Sequence, residues 1–158
     1  MIKKLSLVLL SFIIIGKMYA QKPMQPKKSI YVNINIDIVY KDKAGNDLLD
    51  SNNKVHFSTK DIIIYNIEKG EKIKVNKPKM DYPNNHFIYR DDATGKNHLR
   101  VFLEAEEVLV QLSATTTDTI KCSIKKTKGN THLTKVWYNG KLMWEHGKDV
   151  SQVITIIK

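Results

Sequence analysis

The stretch IYVNINIDIVY, residues 30–40, decides the fold class. Ile30, Val32, Ile34, Ile36, Ile38 and Tyr40 fall on one side of an extended chain. Tyr31, Asn33, Asn35, Asp37 and Val39 fall on the other. Side chains of a strand alternate between faces, so a period of two in β-branched residues predicts a half-buried strand. The same grammar continues downstream. Residues 41–54 (KDKAGNDLLDSNNK) are turn chemistry, dense in Asp, Asn and Gly. Residues 61–68 (DIIIYNIE) predict a second strand that turns at Lys69-Gly70-Glu71 and returns through residues 72–76. Ser58-Thr59-Lys60-Asp61 imitates a helix capping box, but Ile62-Ile63-Ile64 are poor helix formers, and strand is the better reading.

Further on, PKMDYPNN (78–85) holds two prolines and predicts a loop, with a short strand next at 86–90. After the turn DDATGKN (91–97), residues 98–104 pair with 108–112, and 119–127 form another strand with Ile120, Cys122 and Ile124 inward. Asn139-Gly140 between apolar runs is a hairpin signal, because both residues tolerate positive φ. A two-residue loop there sets Tyr138 opposite Lys141, Trp137 opposite Leu142 and Lys135 opposite Trp144. That register assigns Leu133, Trp137, Leu142 and Trp144 to the core, with Val136, Tyr138 and Met143 on the outer face. Residues 150–157 close the series. Eight or nine short strands, with a turn every ten or so residues and no helical periodicity, predict an all-β fold: an antiparallel immunoglobulin-like β-sandwich over residues 30–158.

The N-terminus carries a different message. Lys3 and Lys4 precede an apolar run of about twelve residues, too short for a bilayer span of about 20. This reads as a signal peptide over residues 1–20, cleaved between Ala20 and Gln21, with residues 21–29 (QKPMQPKKS) as a flexible lead-in. No transmembrane segment remains after cleavage. The location implied is secreted or periplasmic. No Cys comes after the apolar run, which argues against a lipoprotein. Cys122 is the single cysteine of the 158 residues, so no intramolecular disulfide and no multi-cysteine metal site can form.

The formal charge is +10, from 26 basic and 16 acidic residues. Three of the 26 lie in residues 1–20, leaving 23 against 16, or +7, after cleavage. Only Arg90 and Arg100 are arginines; the other basic residues are lysines spread through strands and turns. Base-edge and bidentate phosphate recognition favour arginine, so the composition speaks against nucleic acid as a partner.

No motif specifies a reaction, and no cofactor is implied. The five histidines, His56, His86, His98, His132 and His146, are scattered and read as surface or turn-adjacent. No Gly-x-Ser-x-Gly elbow is present. Cys122 alternates with Ile120 and Ile124 and reads as core, not as an activated nucleophile. Asp42, Asp47 and Asp50 surround Gly45-Asn46 and make an oxygen-rich loop, the best calcium candidate, although it lacks the EF-hand spacing. Glu104, Glu106 and Glu107 sit in a predicted turn and read as solvated. Trp137, Tyr138 and Trp144 could stack on sugars, but their register favours the core.

DKAGNDLLD (42–50), DIIIYNIEKG (61–70) and TDTIKCSIKKTKGNTHLTKVWYNGKLMW (117–144), with the Tyr-Ala-Gln end of the signal, resemble small uncharacterised secreted proteins of Bacteroidota. The resemblance implies an extracytoplasmic β-sandwich and transfers no functional residue. The expectation is an exported, non-catalytic module with an unknown protein or glycan partner. The alternatives are a carbohydrate-binding module, an inhibitor or immunity-type protein, and a small secreted hydrolase.

Overall fold

The computed structural model describes residues 30–158; the signal peptide, its Ala20/Gln21 cleavage point and the lead-in lie outside them. The described residues form eleven strands and no helix. The chain opens with β1 (Tyr31–Asn33) and β2 (Asn35–Lys41), then β3 (Ile63–Glu68) and β4 (Glu71–Lys74). Next come β5 (His86–Asp91), β6 (Lys96–Phe102), β7 (Glu107–Ser113) and β8 (Thr116–Thr127). Last are β9 (Asn130–Tyr138), β10 (Lys141–Glu145) and β11 (Val153–Ile157). They make two sheets. The larger runs β1-β9-β8-β7-β3-β4, with β10 also paired to β9; the smaller runs β11-β2-β6-β5. Side chains of both sheets meet in one core, including Ile36, Ile38, Leu99 and Val101 from the small sheet and Val108, Val110, Ile120 and Val136 from the large one. Full burial of each such aliphatic side chain stabilises the fold by about 1.5–3 kcal/mol.

The all-β expectation holds, and the antiparallel one needs correction. Both sheets are mixed: β1 runs parallel to β9, and β11 runs parallel to β2. The cause lies in residues 30–40. The single strand expected there is two strands, divided at Ile34, with β1 hydrogen-bonded into the large sheet and β2 into the small one. Ile36, Ile38 and Tyr40 are fully buried as their alternation requires, whereas Ile30 and Val32 are exposed. These two lie where the chain is no longer part of the small sheet.

The Asn139-Gly140 hairpin forms, with φ of 48° and 82°. Tyr138 opposes Lys141 and Trp137 opposes Leu142, as expected. Beyond these pairs the expected register fails. An irregularity between Leu142 and Trp144 sets Trp144 opposite Val136 and Glu145 opposite Lys135. A second, between Ser123 and Ile124 on the partner strand, sets Ile124 opposite Leu133. Each shifts the pairing by one residue and reverses the inside–outside sense of the residues beyond it. The core face is therefore Leu133, Val136, Tyr138 and Trp144, while Trp137 is half-buried and Leu142 is exposed. Lys135 pairs with Glu145 at 3.4 Å instead of lying against an indole.

A buried polar chain joins the sheets at one end of the core. The Tyr138 hydroxyl donates to Asp118 Oδ2 at 2.5 Å. Its proton is thus committed, so the Tyr40 hydroxyl donates to Tyr138 across the 2.9 Å contact between them. Lys158 Nζ donates to both Asp118 oxygens, at 2.6 and 2.5 Å, and Asn139 Nδ2 donates to Oδ1 at 2.8 Å. Burial alone would raise the Asp118 carboxyl, but the bonds from Lys158, Tyr138 and Asn139 outweigh it and hold the group below its ordinary 3.8. Burial pushes both tyrosines well above the ordinary phenol value.

Removing one hydroxyl from this chain leaves a buried partner unsatisfied, so Tyr138→Phe should lower unfolding free energy by about 1–3 kcal/mol in urea titration. The unfolded chain protonates Asp118 first as pH falls, so the stability it confers is present at neutral pH and drains away below 3.8. Denaturation midpoints should fall more steeply over that acidic window for the unsubstituted protein than for Asp118→Asn.

Candidate functional site

The outward face of the small sheet collects side chains that the sequence places two residues apart. His98, Arg100 and Phe102 alternate along β6, and Phe87, Tyr89 and Asp91 alternate along β5. The antiparallel register sets Phe87 opposite Arg100 and Tyr89 opposite His98; on the other side, Arg100 opposes Asp37 of β2. Asp37 is 5% exposed, and Arg100 grips it with two bonds of 2.7 Å, from Nε to Oδ1 and from Nη2 to Oδ2. The Tyr89 hydroxyl donates to Asp37 Oδ2 at 2.8 Å. Burial, together with that bond to a carboxylate, pushes the Tyr89 phenol up to about 12. The Arg100 guanidinium lies 5.0 Å from the Tyr89 ring centre and 5.7 Å from that of Phe87, within reach of cation–π attraction.

Tyr82, from the proline-bounded loop, completes this surface. Its ring stacks on Phe87 at 4.2 Å and on Phe102 at 5.5 Å. Beside it an apolar groove of about 250 Å³ runs between Val32 and Ile34 on one side and Met80 and Tyr82 on the other, with Phe102, Asn85 and Glu104 along it. Met80 is 59% exposed and Val32 57%. Glu104 is tied to Lys77 by a short ion pair and accepts from Asn85 Nδ2 at 2.8 Å. Burial of Glu104 acts to raise its carboxyl, but these two donors prevail and leave it lowered.

A second recess, of about 500 Å³, opens at the other side of β1. Tyr31, Asn33, His132, Trp144, His146 and Gln152 are among its walls. Asn33 Nδ2 donates to Gln152 Oε1 at 2.6 Å, and Gln152 Nε2 donates to the Asn35 carbonyl at 3.0 Å. The Trp144 indole N–H is buried with no hydrogen-bond partner among the described residues.

The residues singled out from the sequence are distributed otherwise. Asp42 accepts from the Ala44 and Asn46 amides and from Asn46 Nδ2. Asp47 accepts from the Leu49 amide with one oxygen and from Asn97 with the other. Asp50 accepts from Asn52. Asp42 and Asp50 each organise their own turn, Asp47 ties its turn to Asn97 of β6, and the three are not brought together as a ligand set. Among the described residues, no group of three or more His, Cys, Asp or Glu side chains is placed to hold a metal ion. Glu104 and Glu107 go to separate lysines, Lys77 and Lys121, and Glu106 is solvent-exposed. His56 is exposed, but His86 and His98 are buried, against the surface reading: they lie in paired positions of the β5–β6 hairpin. The aromatic face escaped the sequence reading because it depends on which strands pair. The Phe87/Tyr89 and His98/Arg100/Phe102 alternations flanking DDATGKN were the signal that could have shown it.

No family model, no curated protein and no solved structure matches this chain. No helix among the described residues is long and apolar enough to cross a membrane, and Cys122 has no second cysteine to pair with.

Cys122 is buried as its alternation with Ile120 and Ile124 requires, and its thiol lies 3.3 Å from the Ala105 carbonyl. Burial, with the Glu106 charge behind it, pushes the thiol up to about 11. Because thiolate is the reactive form, iodoacetamide at pH 8 should leave the native protein unmodified and label Cys122 only once denaturant is added, as read by intact mass.

Proposed function

We propose that this protein is an exported, non-catalytic binding module whose partner docks an apolar side chain in the groove between Val32–Ile34 and Met80–Tyr82. The observation that supports this reading is the groove itself: a concave apolar surface of about 250 Å³ with Met80, Val32 and Tyr82 held open to solvent. Exposed apolar surface is costly to keep and marks interaction sites when it is contiguous. The groove is also stiffly built. Tyr82 is fixed by its stacking on Phe87 and Phe102, and the loop carrying it is anchored by the Lys77 amide bond to the Pro83 carbonyl. A rigid aromatic anchor loses little conformational freedom on binding.

Export rests on the residue 1–20 pattern of positive start, short apolar run and small residue at the break. The immunoglobulin-like reading of the sandwich rests on two facing sheets with a leading segment divided between them. Kinship with small secreted Bacteroidota proteins rests on the turn and strand segments at 42–50, 61–70 and 117–144. The non-catalytic reading draws on the commitment of the buried acids, Asp37 to Arg100 and Asp118 to Lys158, and of Glu104 at the surface to Lys77.

A carbohydrate ligand is the second reading, favoured by the half-exposed Tyr82 ring on the outer face. Three measurements test these readings. Secreted protein should carry Gln21 as its first residue by N-terminal sequencing. Immobilised protein should retain a protein partner from the producing cells' medium and periplasm, and Met80→Asp should reduce that retention at least about tenfold, the effect of a central contact of about 1.4 kcal/mol or more. Retention on polysaccharide that is lost in Tyr82→Ala and kept in Met80→Asp would instead select the glycan reading.

A further inference from the structure

We propose that His132 and His146 form a two-histidine chelate for a borderline transition-metal cation, of which zinc is the type, at the 500 Å³ recess beside β1. The site is separate from the groove and does not depend on it.

The two residues are fourteen positions apart in sequence, and the fold brings them together. β10 returns antiparallel along β9, and the His146 amide donates to the Thr134 carbonyl at 2.9 Å. His146 therefore stands beside Thr134 and diagonally across from His132, two residues earlier on the same strand. Diagonal neighbours in a sheet are within reach of long side chains. The ring centres are 5.4 Å apart, with planes inclined at 50°.

That spacing suits a shared metal. With a nitrogen of each ring turned to the ion, a zinc–imidazole bond of about 2.0–2.1 Å places the ion about 3.2 Å from each ring centre, and a tetrahedral angle then separates the two centres by about 5.2 Å. His146 also packs edge-on against Trp144, with ring centres 6.2 Å apart, which braces one side of the pair. Both imidazoles border the open recess, and neither takes part in any side-chain hydrogen bond among the described residues. The other histidines differ: His56 is bonded to the Asn53 carbonyl, His86 to the Asn84 carbonyl, and His98 lies against Tyr89 and Asp91.

The backbone under His146 is fixed in advance. Asp149 Oδ2 accepts from the Glu145 amide at 2.6 Å, and the Lys148 and Asp149 amides both return to the Glu145 carbonyl. Two protein donors leave two positions of a tetrahedral ion to water, so affinity in the micromolar range is expected, far from that of a four-ligand structural site.

The experiment is titration of the purified protein with zinc chloride in a buffer that does not bind metal, read by calorimetry and by histidine ring resonances in NMR. One equivalent should bind, and the rings of His132 and His146 should shift while those of His56, His86 and His98 stay in place. His132→Ala and His146→Ala should each weaken binding at least about tenfold, since loss even of groups that only support a ligand costs that much. His56→Ala should change nothing. The paired glutamine variants guard against a folding defect, with thermal melts of all variants compared. No saturable binding below about 1 mM, or binding that survives both single substitutions, would overturn the proposal.

Discussion

The hydrogen-bonded chain from Tyr40 through Tyr138 and Asp118 to Lys158 is what fixes the two sheets against each other. Tyr40 stands on β2 and Lys158 comes directly after β11, both of the small sheet; Tyr138 and Asp118 stand on β9 and β8 of the large one. Apolar contacts alone tolerate sliding, because one aliphatic surface packs nearly as well as another. A buried carboxylate does not tolerate it. Moving either sheet by one residue would strand Asp118 without Lys158 and turn the Tyr40 hydroxyl into apolar surroundings, each a penalty far above that of a poorer methyl contact. The chain also secures the last residue: the Lys158 amide donates to the Lys41 carbonyl at 2.8 Å while its side chain reaches Asp118.

With the sheets pinned there, the division of residues 30–40 determines the surface around β1. That strand leaves the small sheet at Ile34 and lies along β9. Its side chains still alternate, but the two faces now meet different neighbours. Val32 and Ile34 border the apolar groove, whereas Tyr31 and Asn33 border the recess that holds His132 and His146. One short strand thus supplies a wall to both candidate sites. A strand with both faces inside a sandwich could not do so, and the departure from the sheet is what gives each face an opening.

How far the sequence discloses this architecture depends on what a periodic pattern can encode. Alternation identifies a strand and its two faces, so β2, β3, β5, β7 and β8 stand close to where the residues place them. Glycine-bearing turns identify adjacent pairs, so Lys69-Gly70 and Asn139-Gly140 mark true hairpins, with positive φ at all four positions, whereas the expected pairing of 98–104 with 108–112 fails because β6 joins the small sheet and β7 the large one. Neither signal says which sheet a strand joins. The parallel β1–β9 and β11–β2 pairings link segments about a hundred residues apart and leave no mark in local composition. Irregularities are equally silent. The register shifts beside Leu142 and Ser123 carry no glycine, yet they accompany Tyr138 inside and Leu142 outside, against the simple register. The candidate sites suffer most, because each is assembled from loops and strand ends: Tyr82 meets Phe87 and Phe102, and His132 meets His146, only through tertiary pairing.

The distribution of charge decides which chemistry is left available. The most deeply buried acids, Asp37 and Asp118, each have a cation in direct contact, and Glu104 has Lys77. A carboxylate so matched has its oxygens committed to donors, which suits structural anchoring and opposes a role in proton transfer. The turn aspartates spend their oxygens on backbone amides. Among the described side chains that line solvent recesses, the imidazoles of His132 and His146 stand out as a close pair whose lone pairs no protein donor occupies. Imidazole nitrogens, close together beside an open recess, are suited to borderline cations that a lysine-rich surface otherwise opposes by its net field. Among the described residues, the strongest unspent chemistry therefore lies in two histidines, on a face that the basic composition gives no reason to suspect.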